Sequence, residues 1–244
     1  MPSLKFTPLT RLVLALDAEL DLANDPEFEA ELADKYAARL AEATQERDAT
    51  LKGVVTLDAL LALASSGHNI VIPGIGVNMG DIPALLEILV GLASASACIT
   101  AISFASWLCY SQLFFVFNNR KARKYNIDPD FINFAETPTK LTVKIFRSKL
   151  NFWGSDWHES GRVFEGYTSL YSIAANSFLL GAPLLHFGLI VVGASKIAER
   201  SGFDVMHVVF FLWVLIAHLI AVLTWVLPSL GFTFALSSNT RVRA

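Results

Sequence analysis

The chain has 244 residues, 54% apolar and 17% charged, with a mean hydropathy of +0.50. A soluble domain is about 45–50% apolar and about 25% charged, so the totals point away from a freely soluble protein and toward a membrane one. The formal charge is only -3, and six acidic residues interleave with nine basic ones in 119–165, which argues against a nucleic-acid partner.

Residues 1–24 read as a short tail with one apolar patch, Leu12–Leu16. Asp17 ends that run too early for a signal peptide, and neither Pro2 nor the terminal RVRA fits a lipidation motif. A helix start follows. Asn24 and Asp25 suit a cap, Pro26 suits the first helical position, and Glu27, Glu29 and Glu31 favour the positive end of the dipole. Phe28, Leu32, Tyr36 and Leu40 recur every four residues, with Glu31–Lys35 and Asp48–Lys52 as favourable pairs. Nothing breaks the pattern before Ser65-Ser66-Gly67, so a helix is expected over about 26–66. Its second half turns apolar, and Val54–Ile72 reads as a marginal span or an interfacial helix. Residues 67–81 read as a hairpin-like loop around Pro73-Gly74, whose GIG lacks the rest of a nucleotide fingerprint.

Asp81 suits an N-cap and Pro83 a first turn. From Ile88 to Phe117 no side chain is charged. That stretch makes roughly 45 Å of helix against a hydrocarbon core of roughly 30 Å, so a span that projects beyond the bilayer is expected. The basic cluster Arg120, Lys121, Arg123 and Lys124 ends it and is expected to lie on anionic headgroups. The fold class predicted is all-α: a polytopic helical membrane protein with a long antiparallel helical hairpin, 26–66 and 82–124, and a second transmembrane hairpin behind it.

Within the central helix Ala93, Ala97, Ala101 and Ala105 recur every four residues beside Ser96, Thr100 and Ser103. Small residues at this spacing let helices approach closely, and hydroxyls bond helices or wet a pore. Cys98 and Cys109 share that helix at about 16 Å, too far for a disulfide. In the hairpin Asp58 and Glu87 come to nearly equal depth. With His68 they form a candidate cation site, because hard cations take oxygen ligands and intramembrane acids are costly.

Residues 119–165 read as an interfacial segment, with a helix start at Asp128-Pro129 and with Trp153 and Trp157 in an aromatic belt. Tyr167–Ser195 is the second strong span, Lys196–Gly202 a tight polar turn, and Val205–Leu227 the last span. With the turn near residue 199, His186 and His218 differ in depth by roughly 8 Å, which argues against their pairing on a haem. His207 and His218, on one face, fit hydrogen bonding between helices.

The predicted layout is an N-terminal tail and cytoplasmic helix over 1–53, a first transmembrane hairpin over 54–118, the interfacial segment 119–165, a second hairpin over 166–230 and a tail over 231–244. On four spans, 17 of the 19 basic residues share one side, which places both termini in the cytoplasm. No G-x-S-x-G, H-E-x-x-H, P-loop or C-x-x-C occurs, so neither an enzyme nor a bound cofactor is expected. The expected function is a homo-oligomeric pore or ion-conducting effector, with membrane lipids, copies of itself and a cytoplasmic protein as partners. The alternative is a non-catalytic membrane scaffold.

Overall fold

A computed structural model of the chain describes residues 3–67, 82, 84–136, 162–201 and 204–235. These form β1 (Ser3–Phe6), α1 (Pro8–Ala23), α2 (Pro26–Ser65), α3 (Leu85–Tyr125), α4 (Pro129–Glu136), α5 (Arg162–Ser201), α6 (Val205–Val226), a 3-10 turn over Leu227–Ser229 and β2 (Phe232–Ala235). Among the described residues the chain is helical apart from the ribbon of β1 and β2. Residues 68–81 of the expected loop 67–81, with the Asp81 cap, and also Pro83, Trp153 and Trp157, lie outside them.

The helix ends follow from their residues. The Thr7 hydroxyl accepts the Thr10 amide and Pro8 opens α1. Asn24 then closes α1 in the left-handed region at φ 45. Asp25 alone caps α2, its carboxylate accepting the Glu27 and Phe28 amides at 3.0 and 3.2 Å. Glu31 meets Lys35 as expected, at 2.5 Å, whereas Asp48 is held by Arg47. At the end of α3, Asn126 takes φ 52 and the Ile127 amide returns to the Ala122 carbonyl at 3.0 Å. This is the left-handed cap that satisfies the last carbonyls of a helix.

Three expectations are corrected. Residues 8–23 are a helix and not a tail, because Val13, Leu16 and Leu20 fall on one face and pack into a core. The two chain ends are paired: Ser3 stands opposite Ala235 and Phe6 opposite Phe232 in antiparallel register. The polar stretch from Lys196 is no turn. α5 runs on to Ser201, since Lys, Glu and Arg are good helix formers and Gly202 is the first breaker.

Two compact units form. One comprises Met1–Gln45, Ile102–Pro138 and Val222–Ala244, the other Glu46–Ala101 and Thr139–Ala221. In the first, the ribbon unit, Leu20, Leu40, Phe114, Val116 and Phe117 make the core. Phe104 stacks on Trp225 at 4.4 Å. Asn118, 1% exposed, donates to Asn133 at 2.7 Å and ties α4 to α3.

In the second, the histidine unit, Leu61, Leu86, Leu89, Val90, Ala93, Ile190, Ile197 and Val214 bring α2, α3, α5 and α6 to one core. Gly193 sits where three helices meet. A Cβ there would lie 2.7 Å from Val90 Cγ2 and 3.1 Å from Leu61 Cδ1, so the missing side chain permits the close approach. Lys196 donates to the Ser65 carbonyl and so caps the C-terminal end of α2 with a cation. α3, Leu180–Arg200 within α5, and α6 are each long and apolar enough to cross a membrane. Their outward faces carry exposed Leu184, Leu185, Val192, Leu215, Ile216 and Leu219.

Candidate functional site

The histidine unit holds a chain of three ionisable side chains from three helices. Asp58 stands on α2, two turns before the Ser65 end that Lys196 fastens. His186 stands on α5, four residues before Ile190 of the core, and is itself buried. His218 stands on α6, four residues after buried Val214. The Asp58 carboxylate lies 2.7 Å from His186 Nδ1, and their side chains are only 15% and 10% exposed. His186 Nε2 lies 3.2 Å from His218 Nε2, and His218 Nδ1 lies 2.8 Å from the Val214 carbonyl. A carboxylate and two imidazoles so joined can hold a proton and pass it along the chain. Among the described residues no three His, Cys, Asp or Glu side chains converge to hold a metal ion.

The expected depth mismatch between His186 and His218 is therefore wrong, and its cause is the misplaced turn. The reversal falls between the end of α5 at Ser201 and the start of α6 at Val205, whose sequence midpoint is position 203. His186 and His218 then lie 17 and 15 residues from the reversal, within about 3 Å of one another in depth. Of the two histidines expected to bond between helices, His218 does so, to His186, whereas His207 is held at the start of its own helix. Its ring and amide both engage Asp204, at 2.7 and 2.8 Å, in the first turn of its own helix. Those two bonds, the amide first, hold the Asp204 carboxyl below the usual carboxylate range. The signal for the true reversal was in the sequence: Asp204 is an N-cap residue directly before an apolar run.

Of the candidate cation site, Asp58 faces His186, Glu87 lies half-buried in the first turn of α3, and His68 is outside the described residues. Of the small-residue face, Ala93, Ala101 and Ser103 are buried within the chain. Ser96 lies against Gly53 of α2, where a Cβ would stand 3.6 Å from its hydroxyl oxygen. Ala97, Thr100 and Ala105 are half-buried, and the Thr100 hydroxyl finds no partner among the described residues.

Two members of the basic cluster, Arg120 and Arg123, are engaged by acids within the chain. In the ribbon unit the Arg120 guanidinium, 17% exposed, meets three acids: Asp17 at 2.9 Å and Asp21 at 2.5 Å on α1, and Glu29 at 3.1 Å on α2. Arg123 adds a contact to Asp17 at 3.2 Å. The bond to Glu29, then that to Asp21, push the Arg120 pKa above its usual range. Lys124 lies over the ring of its neighbour Tyr125 at 5.8 Å, and exposed Lys121 completes the cluster. Sequence reading missed the acids because their partner lies about a hundred residues away.

No protein family, no curated protein and no solved structure matches this chain.

Proposed function

We propose that this chain is a multi-pass membrane protein that conducts an ion through its histidine unit, with Asp58, His186 and His218 at the centre of the path. The observation that carries the proposal is the three-residue chain itself. Ionisable groups surrounded by apolar helices are expensive and, where they occur in membranes, mark ion paths and proton relays. Ala93, Ala101 and Ser103 are already buried within the chain. The path is accordingly assigned to the chain's own bundle, with assembly into an oligomer as a further feature of the proposal.

Two observations support a fourth crossing by the end of α2. The ribbon of β1 and β2 ties the two chain ends together, so both lie on one side and the number of crossings is even. Three helices qualify on length and composition, and the C-terminal part of α2 packs with all three in one core. In addition, α2 and α5 run parallel, as Asp58–His186 and Ser65–Lys196 require, which suits alternating crossings by α2, α3, α5 and α6. With 17 of 19 basic residues then on one face, both termini belong in the cytoplasm.

The second reading is a non-catalytic scaffold. It is favoured by the solvated pairs along the first half of α2, Glu31–Lys35 and Arg39–Glu42, which leave a polar surface open to a partner. Flux into liposomes carrying the purified full-length chain separates the two. Wild type is expected to conduct, and Asp58→Asn or His218→Gln to lose at least about tenfold of that flux, below the roughly 10²–10⁴-fold that a positioned proton-transfer group contributes in catalysis. Wild-type liposomes no leakier than empty ones would overturn the pore and leave the scaffold.

A further inference from the structure

The hydrogen-bond directions in the buried chain leave one cation unaccounted for. The Val214 carbonyl only accepts, so His218 Nδ1 must carry a hydrogen toward it at 2.8 Å. Asp58, taken as the ionised carboxylate, accepts from His186 Nδ1 at 2.7 Å. A neutral imidazole has one N–H, and both rings have now spent theirs on Nδ1. Two bare Nε2 lone pairs would then face each other at 3.2 Å. The rings meet edge to edge and not face to face: their centroids are 5.3 Å apart, longer than the Nε2 separation by about two ring radii. Two acceptors aimed at each other in an apolar core repel, and each would be left unsatisfied.

We infer that a single shared proton occupies the gap between His186 Nε2 and His218 Nε2, so that Asp58, His186 and His218 form a proton-binding site of zero net charge. One positive charge on the imidazole pair balances the Asp58 carboxylate. A divalent metal in the same gap would leave an excess positive charge, and no third ligand converges there among the described residues. Among the described residues, the other helices of the bundle supply nothing that upsets this balance. α3 carries no charged side chain from Ile88 to Phe117, and Glu87, near the Lys196 level, lies roughly 15 Å from His186 in depth. Lys196 on α5 is engaged by the Ser65 carbonyl, and His207 on α6 by Asp204. The proton has two resting places. On His186 it makes an imidazolium against Asp58. When the Nε2–H bond of His186 breaks, that of His218 forms, and His186 stays neutral with its Nδ1–H still on Asp58. This deepens the proposed function by naming the ion of its path, but the occupancy stands or falls without any flux.

The test is 15N NMR of the full-length chain in lipid bilayers, with 15N-labelled histidine and with His186→Gln and His218→Gln to assign the pair. At neutral pH the wild type is expected to show one imidazolium, its Nε2 hydrogen coupled to the Nε2 of the second ring. That signal is expected to vanish in Asp58→Asn, whose amide no longer balances the charge. Two neutral rings with both Nε2 atoms unprotonated would overturn the inference, as would stoichiometric zinc bound to both. If the shared proton is present in liposomes that do not conduct, only the pore reading fails. If the liposomes conduct while the shared proton is absent, only this inference fails.

Discussion

The two units treat ionisable side chains in opposite ways. In the ribbon unit Arg120 and Arg123 face three acids, one negative charge in surplus. The surplus is tolerated because Asp21 and Arg123 reach solvent, with side chains 69% and 65% exposed. In the histidine unit Asp58 and His186 are nearly closed off from solvent, and each imidazole nitrogen of His186 and His218 points at a polar atom. Where water can screen, charge need only be roughly balanced. Where it cannot, every donor needs its acceptor and the total must be neutral. The contrast explains why the ribbon unit is built on long, salt-sensitive side chains and the histidine unit on short, rigid ones.

The sharpest way to break the histidine unit is through the contact that brings its helices together. Gly193→Leu inserts a branched side chain where even a Cβ stands 2.7 Å from Val90. The expected cost is about 3 kcal/mol or more, and Gly193→Ala about 1 kcal/mol, by overpacking. Thermal unfolding in detergent checks both. A Leu variant as stable as wild type would mean that α2, α3 and α5 do not meet there. If the unit is lost, the His186–His218 signature goes with it, whereas the ribbon unit's core keeps its own contacts.

The ribbon unit has a different weak point. Arg120→Met leaves Asp17, Asp21 and Glu29 facing one another. The expected destabilisation is about 1–3 kcal/mol, between the limits for an exposed and a buried ion pair. Added salt should return part of it by screening the acids, whereas the loss caused by Asp58→Asn should not respond to salt. Unfolding of both variants across a salt series makes the comparison directly. Equal salt responses would mean the two units do not differ in the way described.

Periodicity and caps made much of the fold legible. The 26–66 helix, the uncharged helix that follows and the last apolar helix all stand close to their expected bounds, because each carries a long unbroken pattern and a recognisable breaker. α1 was hidden because sixteen residues with scattered charges look like a tail until something packs on Val13, Leu16 and Leu20. The paired chain ends were invisible, since a strand of four residues has no periodicity to read. Asp58 was singled out as a costly acid in an apolar setting, but His186, which it meets, was not named beside it. That error came from one helix end: placing the reversal near residue 199, and not between Ser201 and Val205, shifts every depth on α5 relative to α6 and parts two histidines that touch.

The smallest effect concerns that same reversal. Asp204 is solvent-exposed, and its carboxylate accepts the His207 amide at 2.8 Å. Its folded pKa lies below the usual value, so the unfolded chain binds a proton there first. The stabilisation is therefore fully present above the ordinary aspartate range, about pH 4, and is lost as the pH falls through the depressed folded value. The effect is local, because an N-cap serves only the first turn. Amide exchange at His207, corrected for its intrinsic pH dependence, should lose protection through that acid window in wild type. Asp204→Asn, which caps without a charge, should hold the same protection throughout. Identical acid profiles for the two would show that the Asp204 charge is not what starts α6. The helix would then begin by packing alone, and the depth match between His186 and His218 would rest on the core rather than on the turn.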